Sequence, residues 1–146
     1  MNNDNFLIEE YDLEQAQDIC KYIKTSETRN RAVANVLGAK IAEHYFEETN
    51  IDTQSGLHNV SQILNLFDIS DIYIKNCYID VRLYFNENEL YVPKVHFEKN
   101  ITSVAYMFIK ISKDLSSGLV TGFVLSNTID LTKEVNGYYK VDESDL

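Results

Sequence analysis

The chain has 146 residues, 45% of them hydrophobic and 12% aromatic, which is enough to build one core and excludes a disordered chain. With five Gly, one Pro and no Trp, collagen-like and Pro-rich linker compositions are excluded as well. Thirteen Lys and Arg stand against 23 Asp and Glu, a formal charge of −10 that repels the polyanions a nucleic-acid or anionic-membrane partner would present.

In chain order, the opening Met1-Asn2-Asn3-Asp4 carries no basic stretch and leads into no long apolar run, so no secretory signal is expected. Asp12 followed by Gln15 reads as a capping box, after which Leu13, Ala16, Ile19, Cys20 and Ile23 share one helical face. Ser26 caps a second helix of about 20 residues, whose stripe is Val33, Val36, Leu37, Ile41, Tyr45 and Phe46. Residues 50–56 read as a loop, and 57–66 as a third, shorter helix.

From Ser70 the period changes from helical to two. Residues 71–85 read as a hairpin turning at Lys75-Asn76, with Ile72 opposite Ile79 and Ile74 opposite Cys77. One face is then Ile72, Ile74, Cys77, Ile79, Val81, Leu83 and Phe85. The other is a partly exposed face of Asp71, Tyr73, Tyr78, Asp80, Arg82 and Tyr84. Residues 89–95 form a third strand that Pro93 marks as an edge or bulge. Residues 104–111 are apolar on both faces, as a central strand would be, and fall well short of a membrane span. Residues 119–125 follow as a strand in which Gly122 marks a bulge or a close approach, and 138–141 add a short one. The reading is one α+β domain over 1–146. Residues 1–67 are its helical half, and 68–146 a curved, mainly antiparallel sheet of about five strands.

Few residues offer chemistry. Cys20 and Cys77 form no CxxC and read as small, buried, reduced hydrophobes. His44, His58 and His96 are scattered, without ligand spacing, and read as surface or helix residues. There is no GxSxG, Walker loop or GxGxxG. The one constellation is Asp71, Asp80 and Arg82 on a single hairpin face. Two facing carboxylates from converging strands suit a hard cation such as Mg²⁺. The simpler reading of the trio, and the expected one, is a salt-bridged patch in which Arg82 neutralises two aspartates.

The stretches DLEQAQDICKYI, ANVLGAKIAEHYF, DIYIKNCYIDVRLYF and SVAYMFIKISKDLSSGLVTGFVLS together resemble an uncharacterised domain family known mainly from cyanobacteria. No motif in them is catalytic, so the resemblance implies kinship and a shared fold rather than an activity. The order of a helix, a hairpin ending in an acidic-x-cation step, an apolar strand and a Gly-Phe strand also resembles the PD-(D/E)xK nuclease-like fold. That second resemblance maps its D…D-x-K pattern onto Asp71, Asp80 and Arg82, with Glu43 as a helical acid and Mg²⁺ as cofactor. Arginine replaces its lysine, and a guanidinium stays protonated, so it cannot serve as a base. The expectation is a non-catalytic protein-interaction or regulatory module of a bacterial-type cytoplasm. Its partner is another protein or a second copy, meeting the Tyr-rich hairpin face or the 89–95 edge. The alternative is a diverged metal-dependent nuclease or nucleic-acid-processing enzyme built on Asp71, Asp80 and Arg82.

Overall fold

The computed structural model describes residues 5–49, 51, 54–55, 72–74, 77–86, 89–100 and 103–146. The expected helix over 57–66, the turn at Lys75-Asn76 and Asp71 lie outside the described residues.

Helix α1 spans Glu10–Cys20. The capping box sits one turn earlier than the sequence suggests: Asp12 is its third residue, and its carboxylate accepts the Glu9 backbone N–H at 3.3 Å. Helix α2 spans Ser26–Glu48 and packs Ala32, Val33, Val36 and Leu37 against Ala16 and Cys20 of α1. A strand not expected from the sequence, β1 (Asn5–Leu7), precedes both helices. The short β2 (Gln54–Ser55) follows them.

The hairpin has the register read from its alternation. In β3 (Ile72–Ile74) and β4 (Cys77–Tyr84), Ile72 faces Ile79 and Ile74 faces Cys77. Strands β6 (Ala105–Ile111) and β7 (Ser117–Leu125) complete a curled six-stranded sheet in the order β1-β7-β6-β4-β3-β2. Its pairs are antiparallel except β4 with β6, which run parallel. A parallel pair needs a crossover, and the intervening chain supplies it. The crossover contains β5 (Tyr91–Pro93) and the short helix α3 (Lys94–Glu98). Strand β5 then pairs with β9 (Tyr138–Lys140), which pairs with β8 (Glu134–Val135), to make a second sheet in the order β5-β9-β8.

Alternation on β6 explains the layers. Met107 and Ile109 join Ile41, Ala42, Phe46, Ile72 and Val81 on the α2 side. Tyr106 and Phe108 join Tyr84, Leu90, Val92, Tyr139 and Val141 under the second sheet. Both faces of the main sheet are therefore covered, and the patch expected to be partly exposed is not: Asp80 and Tyr84 are buried. Among the described residues of that face, only Tyr78 is largely exposed, its ring tilted 43° against that of Tyr73 with centroids 4.8 Å apart. Cys20 is buried as expected, whereas Cys77, the first residue of β4 at its hairpin end, is exposed. The bulge expected near Gly122 is present. Phe108 faces Gly122 while Ile109 faces Val120, leaving Thr121 as the extra residue.

A buried polar cluster as the candidate functional site

Three elements bring polar side chains together beneath the second sheet. On β4 the even positions place Asp80 and Arg82 on the same face, and parallel pairing sets Asp80 beside Tyr106 of β6. The third contributor is α3. Pro93 stands at its N-cap in extended conformation (φ −63°, ψ 125°), and the helix turns His96 inward until it has no exposed surface.

His96 Nδ1 lies 3.0 Å from the Tyr106 hydroxyl and 3.6 Å from Asp80 Oδ2. Arg82 Nη1 approaches the same Oδ2 at 4.0 Å, the span of an ion pair rather than of a hydrogen bond. The His96 ring stacks on Tyr106 at a 17° interplanar angle, and Phe97 stacks beside it at 22°. Asp80 and His96 are fully buried, and Arg82 retains a little exposure. Burial, and after it the negative charge of Asp80, raise the Tyr106 hydroxyl well above the ordinary tyrosine value, with Arg82 pulling weakly the other way. Tyr106 therefore keeps its proton throughout the physiological range.

A group whose folded pKa lies above its unfolded one stabilises fully below the unfolded pKa, and that contribution is lost as pH rises past it. The unfolded value for tyrosine is about 10. Between about pH 9 and 11 the unmodified protein is thus expected to lose thermal stability more steeply than Tyr106→Phe. At neutral pH the variant should be about 1 kcal/mol less stable through the lost hydroxyl bond to His96. Melting curves across that range check it, and parallel slopes for the two proteins would contradict it.

Of the three residues singled out from the sequence, Asp80 and Arg82 do come together, and Asp71 lies outside the described residues. Sequence periodicity does not point to their companions His96 and Tyr106. The available signal is Pro93, which opens a helix and so carries His96 inward, where strand periodicity would have continued through Val95.

An α+β domain with this sheet order and this enclosed Asp–His–Tyr–Arg cluster does not by itself define a class of activity. The family model described as "Protein of unknown function (DUF1822)" matches residues 6–146, and the chain belongs to that family. No curated protein and no solved structure matches the chain. Among the described residues, no helix is long and apolar enough to cross a membrane.

Proposed function

We propose that this protein is a non-catalytic, protein-binding module of the cytoplasm, in which Asp80, His96, Tyr106 and Arg82 hold α3 and the second sheet onto the main sheet. The observation that carries this reading is the complete burial of Asp80 and His96. A carboxylate that works on a polymeric substrate has to meet it, and this one lies beneath a layer of the fold. Its surroundings also suit Mg²⁺ poorly. That ion keeps several waters and binds oxygen donors, whereas Asp80 Oδ2 has an imidazole nitrogen at 3.6 Å and a guanidinium at 4.0 Å. Arg82 stays protonated and cannot replace the water-activating lysine of a nuclease. The charge of −10 opposes nucleic-acid binding and suits a protein partner that carries basic groups.

The test is incubation with labelled single- and double-stranded DNA and RNA in Mg²⁺ or Mn²⁺. All substrates are expected to remain uncut. Cleavage that disappears in a folded Asp80→Asn variant would overturn the reading in favour of a diverged metal-dependent nuclease.

A further inference from the structure

Among the described residues, β1 is the last strand on its side of the main sheet. Phe6 pairs with Gly118, and Ile8 N–H donates to the Ser116 carbonyl at 2.8 Å, so Phe6 and Ile8 turn their backbone groups toward β7. Alternation in an antiparallel ladder then turns the N–H and C=O of Asn5 and Leu7 outward. The Leu7 side chain is 74% exposed beside them. A cleft of about 550 Å³ runs along this edge, lined by β1, by Glu9 and Asp12, and by His44, Glu47 and Glu48 of α2.

The acidic wall is built against local helix energetics. Glu47 and Glu48 occupy the last turn of α2, which contains no basic residue, although the negative end of the helix dipole disfavours carboxylates there. Asp12 is already engaged by Lys40 at 3.5 Å and by the Glu9 N–H, while Glu47 has the exposed His44 imidazole at 3.5 Å beside it, a partner that is charged only when protonated. Resting on the reading of the chain as a protein-binding module, we propose that the outer edge of β1 receives a basic, extended segment of a partner protein as an added strand. Glu47 and Glu48 meet its lysines or arginines. A second copy of this chain is the wrong occupant. Two β1 edges laid together would set one acidic wall against the other, between chains that each carry −10.

The probe is a blocked, fluorescent octapeptide alternating Lys with Thr and Val, compared with one in which Glu replaces Lys. Anisotropy is expected to show binding of the basic peptide only, weakening as salt rises from about 50 to about 150 mM. The double variant Glu47→Gln/Glu48→Gln should bind roughly fivefold to tenfold more weakly, as two exposed ion pairs allow. Leu7→Pro removes an outward N–H and fixes the local φ, changes that an edge strand tolerates, and should weaken binding with the circular dichroism unchanged. Hydrogen exchange should show new protection at the Leu7 amide when the basic peptide is bound. Should Leu7→Pro not fold, the double variant and the exchange measurement decide.

Equal binding of both peptides, undiminished binding by the double variant, or an unprotected Leu7 amide would overturn the proposal. So would self-association through β1 without peptide. The broader reading fails differently, by metal-dependent cleavage of nucleic acid. A protein that neither cuts nor binds the basic peptide discards this edge alone.

Discussion

Phe108→Ala is expected to destabilise the protein by about 3–5 kcal/mol, the usual cost of removing a buried aromatic ring from a packed core. Phe108 is 1% exposed on β6, with β4 hydrogen-bonded on one side and β7 on the other. It lies edge-on to Tyr84, with centroids 6.5 Å apart, in the layer that joins the main sheet to the second one. Neighbours held on both flanks by strand pairing cannot collapse into the space, so the cavity contribution should be near its full size. A domain of this length loses about 2–4 °C of melting temperature per kcal/mol, which makes the expected fall about 6–20 °C. Leu125→Ala, on the adjacent strand but 52% exposed, serves as the control and should cost less than about 1 kcal/mol. Similar losses from the two variants would mean that the second sheet does not seal this layer.

The elements that two-residue alternation or helical spacing mark strongly are readable from the sequence. The hairpin register follows because a shift of one residue would mix Ile72, Val81 and Leu83 with aspartates and an arginine. The central strand announces itself by being apolar on both faces, which also implies that something covers each face. What covers the second face is not legible. Strands over 89–95 and 138–141 are expected, but nothing local says that β5 pairs with β9, and β8, with two residues, is too short for a period to show. The local clue is Asn136-Gly137, whose φ values of 49° and 83° make the tight turn between β8 and β9. Without that layer, Asp80 and Tyr84 look half-exposed.

The same gap hides most of the candidate site. Asp80 and Arg82 are two apart on one strand, so period alone places them together. His96 reaches them from α3 and Tyr106 from a parallel neighbour, contacts that depend on the crossover rather than on local spacing. Strand β1 escapes sequence reading for a related reason. Its three residues gain their place only by pairing with Ser117–Leu125, more than a hundred positions later.

Gly122→Val is expected to cost about 2–6 kcal/mol, as the sum of two separate penalties. Gly122 has φ +157°, a conformation that side chains with a β-carbon rarely adopt, and such strain costs about 1–3 kcal/mol. A β-carbon there would also stand 2.6 Å from Leu146 Cβ and 3.2 Å from the Leu146 carbonyl carbon. Part of that contact is backbone, which cannot swing aside as the end of a side chain can, so overpacking adds about 1–3 kcal/mol. The position also governs the bulge, since Thr121, the extra residue, donates its hydroxyl to the Phe108 carbonyl at 3.1 Å. Gly137→Val separates the two penalties. Gly137 has φ +83°, and a β-carbon at that position would meet nothing within 4 Å, so the substitution carries strain without collision. Denaturant unfolding should therefore place Gly122→Val below Gly137→Val, and both below the unmodified protein. Equal midpoints for the two variants would mean that Leu146 does not pack against the bulge. A Gly122→Val protein as stable as the parent would mean that β7 passes this point as regular strand.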